Sequence, residues 1–342
     1  MFAYIVRRML LLPVLLLGVT IFIFLIFSFL PPAMRASLYM RDVPKSQDAM
    51  ERIIKKYGLD EPIHIQYWKW LNQVARGDLG WSQTAQRPVT EALLYYLPAT
   101  LELSLWAMLP VILVGIWLGI LSAVHQDKLI DQALRVFALV GWSFPTFVFG
   151  LLLLMKFYAD LRWFPAGQIS DWVTREIIAG TFVQYTRMFT VDALLNGRLD
   201  VFLDSLRHLF LPVITLSYVQ WALLLRVTRS SMLETLRQEY IMTARGKGLK
   251  ERVVINKHAA RNAMIPAATM GGLLLIGLLN GVVITETIFN YPGIGRWAAN
   301  AATTLDILGV LGFTLFNGVL LVVGNLVVDV LYAFIDPRVR LE

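Results

Sequence analysis

A chain of 342 residues with 57% hydrophobic and only 16% charged side chains falls well short of the roughly 25% charge of soluble domains, which excludes an ordinary water-soluble fold. The absence of cysteine excludes disulfides and thiolate chemistry. A net charge of +7 in so apolar a chain points to membrane topology and anionic lipid rather than to nucleic acid.

The stretches without charge set the architecture. Met9–Met34, Leu103–Gln126, Val136–Met155, Asn262–Thr285 and Ile307–Val328 hold 20 to 26 residues each without one charged side chain. A helix needs about 20 such residues to cross about 30 Å of hydrocarbon. Leu209–Leu225 has 17 and completes its span with a snorkelling His208 or Arg226. The sequence therefore predicts an all-α integral membrane protein of a single domain, with six transmembrane helices over about 9–30, 99–124, 136–158, 209–225, 264–286 and 307–335.

The first span follows Arg7 and Arg8, but its 26 apolar residues exceed the about 7–15 of a cleaved signal core, so it is read as retained. The first outside loop, 31–98, has helical spacing in Ile53, Ile54, Tyr57, Ile63, Tyr67, Trp70, Leu71 and Val74, broken at Gly58 and Pro62. Its aromatics suit a membrane interface. Glu102 begins span 2, Lys156 and Glu286 end spans 3 and 5, and Asp329 lies late in span 6. All four sit near span ends, where snorkelling or pairing explains them, and no carboxylate marks a mid-membrane proton relay. The second outside loop, 159–208, mixes apolar and polar residues, including Trp163, Phe164, Pro165 and Trp172. Gly271, Gly272, Gly277 and Gly281 in span 5, with Gly318 and Gly324 in span 6, allow close helix packing.

Orientation follows from basic charge. Segments 1–8, 125–135, 226–263 and 336–342 carry 15 Lys or Arg in 64 residues, against 15 in 138 for 31–98, 159–208 and 287–306. The denser side is read as cytoplasmic, with both termini there. The longest cytoplasmic segment, 226–263, has nine Lys or Arg against three acids, Glu234, Glu239 and Glu251. Residues 234–244 read as a short amphipathic helix that Gly248 ends. Ala244, Gly246 and Gly248 are small residues in a charged surround, the pattern of a protrusion that admits a close partner.

Motifs for chemistry are missing. There is no GxxxxGK[ST], HExxH or GxSxG, and His64, His125, His208 and His258 are scattered. The chain is not expected to be an enzyme, nor to hold a metal or cofactor.

Six stretches in order resemble one family. Tyr240-Ile241-Met242-Thr243-Ala244-Arg245-Gly246-Lys247-Gly248-Leu249, followed by His258-Ala259-Ala260-Arg261-Asn262-Ala263, looks like the cytoplasmic loop of ABC-transporter permeases for di- and oligopeptides. YIVRRMLLLPVLLLGVTIF resembles their first span. Tyr57-Gly58-Leu59-Asp60-Glu61-Pro62 with Gln66-Tyr67 and Arg76-Gly77-Asp78-Leu79-Gly80 resembles their first outside loop. Leu97-Pro98-Ala99-Thr100-Leu101-Glu102-Leu103 resembles the start of their second span. Glu286-Thr287-Ile288-Phe289 with Tyr291-Pro292-Gly293-Ile294-Gly295 resembles their third outside loop, and Asp336-Pro337-Arg338-Val339-Arg340 their tail. The Glu of the Glu-Ala-Ala-x-x-x-Gly core found in the wider importer class is absent here, where Met242-Thr243-Ala244 precedes Gly248. The segment 166–208 is longer than that family's usual loop.

The resemblance implies a type I ABC importer permease fold, in a bacterial or archaeal cytoplasmic (inner) membrane. Its partners would be a second homologous permease, two cytoplasmic subunits that bind ATP and Mg, an extracytoplasmic solute-binding protein and lipid. Tyr240, Thr243, Ala244, Arg245, Lys247, Gly248, Leu249, His258, Arg261 and Asn262 would dock the ATPases. Glu286, Tyr291, Pro292, Gly293 and Gly295 would shape the outer mouth or touch the binding protein. The alternative is a secondary transporter or channel subunit not coupled to ATP.

Overall fold

The computed structural model describes residues 2–38, 47–279 and 282–335; of 2–9, 37–38, 47–50 and 329–335 it describes the backbone alone. Gly281, the tail from Asp336, both chain ends and the Asp329 side chain lie outside what is described.

In chain order, α1 spans Phe2–Ser28, and Pro31-Pro32 stops it because proline cannot continue the helical hydrogen bonds. Short helices α2 (Pro32–Leu38), α3 (Gln47–Tyr57) and α4 (Ile63–Ala75) follow. A two-residue hairpin, β1 (Trp81–Ser82) and β2 (Arg87–Pro88), leads into α5 (Val89–Val124). Next come α6 (Leu129–Ser143) and α7 (Thr146–Leu153), which continues as a wide π-type turn over Leu154–Asp160. Two short helices, α8 (Asp171–Ile178) and α9 (Phe189–Leu195), precede the 38-residue α10 (Leu199–Leu236). Then α11 (Glu239–Gly246), α12 (Glu251–Val253) and a π-type turn over Val254–Ala259 lead to α13 (Ala260–Leu279). The chain ends in α14 (Val283–Ile288), α15 (Ile294–Thr303) and α16 (Ile307–Ile335).

Five of these helical stretches are long and apolar enough to cross a membrane, and α6 with α7 supplies a sixth if the bent pair is one span. The boundaries differ from the charge gaps. α5 begins ten residues before the predicted 99, and α10 runs well past 209–225 at both ends. Helical hydrogen bonding continues wherever charged side chains find partners. Asp204 in α10 accepts from the Ser170 hydroxyl at 2.6 Å, and Arg229 is held by Asp131. Within the predicted fifth span, 264–286, α13 is described as far as Leu279 and α14 begins at Val283, with Val282 outside either helix.

The chain forms two compact units. The first holds residues 1–100, 280–283 and 292–326. In it α4 packs on α1, with Tyr67 and Trp70 against Phe24 and the Tyr67 hydroxyl 3.0 Å from the Thr20 hydroxyl. The aromatics expected at an interface are thus divided, since Trp68 remains exposed. The core of this unit is Phe27, Val89, Ala92, Leu93, Ile294, Trp297 and Leu308. Asp306 pins the hairpin to the start of α16, accepting from the Ser82 hydroxyl at 2.5 Å and from the Thr84 and Gly309 amides at 3.0 Å each.

The second unit holds residues 101–279, 284–291 and 327–342. Here α10 is the central pillar, and α6, α7, α9 and α13 pack around it. Glycines let α5 approach it closely: a Cβ at Gly119 would lie 2.5 Å from the Thr228 Cβ, and one at Gly115 would lie 2.9 Å from Leu224. The Trp221 indole of α10 donates to the Pro110 carbonyl of α5 at 2.7 Å. The long 166–208 segment has its own small nucleus of Val173, Phe182, Phe189, Ala193 and Val201. Asp192, fully buried, holds it closed by accepting from the Thr186 amide and hydroxyl and the Arg187 amide.

Candidate functional site

The basic segment folds back on the ends of α10 and α13. Ile241 and Ala244 face inward and join Met232, Val254, Ala259, Ala260 and Ala263 in one apolar cluster. The rest of α11 and the turn after it is exposed: Tyr240, Met242, Thr243, Arg245, Gly246, Lys247, Gly248 and Leu249 all face out. The helix ends in a double-bonded cap. The Gly248 amide donates to the Arg245 carbonyl at 2.9 Å, and the Leu249 amide donates to the Ala244 carbonyl at 3.4 Å. That cap requires a left-handed residue, and Gly248 has φ +73°, where glycine pays no Cβ penalty.

Side chains brace the protrusion. Arg245 reaches Glu251 with two hydrogen bonds, 2.6 and 3.2 Å, and holds its carboxyl below the usual carboxylate range. The Asn262 amide donates to the Tyr240 hydroxyl at 2.8 Å, tying α13 to α11. Arg261 is exposed beside it and His258 is half-buried. The fold therefore gathers the ten residues singled out in this segment into one protrusion, with one difference in role. Ala244, read as a docking residue, is only 7% exposed, so its small side chain serves the packing of α11 on its own chain.

Beneath the protrusion lies a clamp that the sequence reading did not single out. Asp131, at the start of α6, is fully buried. It accepts from both the Nε and Nη2 of Arg229 at 2.7 and 2.8 Å, from the Ser122 hydroxyl at 2.5 Å and from the Asp127 amide at 3.0 Å. This fixes α10, just before α11, against α5 and α6. Removing one partner of such a pair strands the other charge. Asp131→Ala is expected to destabilise the protein by about 3–5 kcal/mol, read as a lower thermal unfolding temperature in purified membrane protein. An unchanged temperature would show that the clamp contributes nothing.

The residues expected to shape the outer mouth or touch the binding protein are mostly buried. Glu286 and Tyr291 are fully buried, Gly293 and Gly295 are buried, and Pro292 is half-buried. In the first unit the Ile294 amide donates to the Thr100 hydroxyl at 2.8 Å. In the second, the Tyr291 amide closes on the Glu286 carbonyl at 2.8 Å, and the Tyr291 hydroxyl donates to Glu102 at 3.0 Å. Burial above all, and then the adjacent carboxylate, push that hydroxyl well above its ordinary pKa, so it stays a donor.

Glu102 is the centre of this arrangement. It is 2% exposed and accepts four hydrogen bonds. The Thr190 amide and hydroxyl reach Oε1 at 2.6 and 2.8 Å; the Gln168 amide and the Tyr291 hydroxyl reach Oε2 at 2.9 and 3.0 Å. Its reading as a snorkelling or interface-paired acid is thus replaced by that of an internal anchor. It ties the segment before α8, the start of α9 and the turn after α14 to α5. Among the described residues no group of three or more His, Asp or Glu could hold a metal.

The sequence matches known proteins along almost the whole chain. A family profile described as the inner membrane component of binding-protein-dependent transport systems matches residues 115–341, and a profile for the N-terminal part of such membrane components matches residues 1–104. The chain is 40% identical over 324 residues to the probable D,D-dipeptide transport system permease protein of Escherichia coli (strain K12), covering 94% of this chain and 93% of that one. It is 37% identical to the oligopeptide transport system permease protein of Bacillus subtilis (strain 168), covering 99% and 100%. It is 38% identical to the di/tripeptide transport system permease protein of Pseudomonas aeruginosa (strain UCBPP-PA14), covering 99% of each. The chain belongs to the family of inner-membrane permease components of binding-protein-dependent transport systems.

Proposed function

We propose that this permease forms half of the pathway through which an ATP-driven importer takes up short peptides. A second, similar permease forms the other half. Two cytoplasmic ATPases bind the protrusion around α11, and an extracytoplasmic binding protein delivers the solute. The observation that carries the reading is the protrusion itself: an exposed short helix, closed by a glycine cap and braced at its base by Asp131 and Arg229. Such a rigid handle transmits a push or pull to α10 and α13. Closure of the ATPases would move the handle and rock the spans between inward- and outward-open states. The relatives named for dipeptide, oligopeptide and di/tripeptide transport support a peptide as the solute. The permease itself breaks no covalent bond, and ATP with Mg is bound by the partner subunits.

The test is reconstitution of the complete complex in liposomes. Uptake of a di- or tripeptide is expected to require ATP and the binding protein together. Uptake that persists without ATP would overturn the importer reading in favour of a secondary transporter.

The proposed topology has its own test. A reporter active only in the cytoplasm is expected to work when fused after Lys250 and to fail after Gln83 or Trp172, since the first lies in the basic protrusion and the others in the charge-poor outside loops. Activity after Gln83 would contradict the six-span arrangement with both termini inside.

A further inference from the structure

Three helices lose their charge at one level. Along α10 the uncharged run Leu209–Leu225 ends at Arg226, and along α6 the uncharged run Val136–Met155 begins just after Arg135. Asp131 meets Arg229, and Gly141 lies against Ala222 and Tyr218. α6 therefore runs antiparallel to α10, and the two boundaries lie side by side. The uncharged run of α5, Leu103–Gln126, ends at the same place, since the next amide, that of Asp127, bonds to Asp131 at 3.0 Å. In a membrane protein, the level where charge returns on adjacent spans is that of the lipid headgroups.

A groove of about 820 Å³ opens between α6 and α10 at this level. Ala138, Leu225 and Leu233 give it an apolar floor, and Arg135, Arg226, Arg229 and Arg237 line it. Among the described residues Glu234 is the one acid in the lining. Asp131 below holds Arg229 with two bonds and lies 3.7 Å from Arg135. Against both acids, two positive charges remain in excess. Arg226 and Arg237 are exposed, and among the described residues neither guanidinium has a carboxylate partner. Arg226 sits 5.6 Å from the centre of the Trp142 ring, which positions it without neutralising it. Like charges gathered around one groove repel one another, and an anion in the groove relieves this.

The apolar part continues past the arginines. Val136, Leu139 and Val140, three and four residues apart on one face of α6, are 60%, 63% and 47% exposed. They lie in the uncharged part of that helix, on the hydrocarbon side of Arg135.

We propose that this groove holds an anionic phospholipid, with its phosphate against Arg226 and Arg237 and its acyl chains along the Leu139 face of α6. Guanidinium groups offer paired N–H donors that match phosphate oxygens. An acidic protein surface would satisfy the arginines but leave the apolar face of α6 uncovered. A lipid covers both. Arg237 lies two residues before α11, so the lipid sits at the base of the basic protrusion. The inference holds whichever solute the permease carries.

The chain has no cysteine, so Leu139→Cys gives a single site for a bimane fluorophore in a complete complex whose other subunits lack cysteine. The complex is placed in phosphatidylcholine nanodiscs, and quenching is compared for phosphatidylglycerol and phosphatidylcholine brominated on their acyl chains. Each basic residue near an anionic lipid is worth about fivefold in binding, so phosphatidylglycerol is expected to be preferred by at least about fivefold. Arg226→Gln with Arg237→Gln is expected to bring the two lipids to parity, and Arg226→Lys with Arg237→Lys to retain most of the preference. Both pairs leave the Asp131–Arg229 clamp intact. Equal quenching by the two lipids with the arginines present overturns the proposal, and so does a preference that survives the glutamine pair. Absence of quenching by either lipid also overturns it, because protein, a docked ATPase for example, then covers the groove. Soluble glycerol phosphate is expected to leave the preference in place. If it abolishes the preference, the groove is a site for small anions and not for lipid, and the proposal falls.

Discussion

Gly248→Asp is expected to abolish ATP-coupled uptake while leaving the permease folded and at normal abundance in the membrane. Two observations separate the partner's loss from the chain's own. A Cβ at position 248 meets no heavy atom within 4 Å beyond its chain neighbours, and the position is exposed, so a side chain there has open space. The backbone there is left-handed, φ +73°, which costs a non-glycine residue about 1 kcal/mol but is tolerated by Asp better than by most. The change to the free subunit is therefore small. A docked ATPase, by contrast, would meet a new side chain and a negative charge at the tip of the cap. Retention of the ATPases on purification is expected to fall at least about tenfold, equivalent to about 1.4 kcal/mol, and solute-stimulated ATP hydrolysis is expected to be lost. Gly248→Ala carries a similar backbone cost without the charge and is expected to keep part of the coupling. Lys250→Ala, one exposed charge nearby, is expected to change docking by no more than about 1 kcal/mol. Full coupling in Gly248→Asp would reduce the protrusion to a topological anchor.

The Gly248 argument was largely legible in the sequence, because a glycine after a short amphipathic helix in a basic surround specifies both the turn and the exposure. The role of Ala244 was not. Composition cannot tell a small residue that admits a partner from one that lets a helix lie flat on its own chain, and the cluster with Met232 and Val254 decides for the second. The bend between α6 and α7 was hidden for another reason. Charge gaps report hydrophobicity and not direction, so Val136–Met155 read as one rod, although Pro145 stood in it as a signal. The ends of α10 were hidden because Asp204 and Arg229 look like loop charges until their partners are seen. The Glu102 network is the extreme case. Its donors lie 66, 88 and 189 residues away in sequence, and a single acid at the start of a span gives no hint of them.

That network supports the second large expected effect. Glu102→Ala removes one carboxylate and strands four donors at once: the Thr190 amide and hydroxyl, the Gln168 amide and the Tyr291 hydroxyl. Each buried donor left without a partner costs about 1–3 kcal/mol. The hydroxyls and the Gln168 amide regain part of this by turning, but the Thr190 backbone amide cannot turn. A net loss of at least about 3 kcal/mol is expected, read as a lower unfolding temperature of the purified permease and a fall in peptide uptake. Glu102→Gln separates shape from donor count. Its carbonyl can take the Oε1 position and keep both Thr190 bonds. Its amide would then face Gln168 and Tyr291, and both of these can reverse to accept. Glu102→Gln is therefore expected to lose only about 1 kcal/mol and to retain most uptake, and Tyr291→Phe to lose a similar amount. The order of damage, with Ala well below Gln, distinguishes a hydrogen-bond anchor from an electrostatic one, in which neutralising the charge would hurt as much as deleting the side chain. If Glu102→Ala unfolds at the wild-type temperature and transports normally, the 166–208 segment does not depend on this carboxylate, and its order must come from the apolar nucleus around Val173 and Phe189 and from the hydrogen bonds to Asp192.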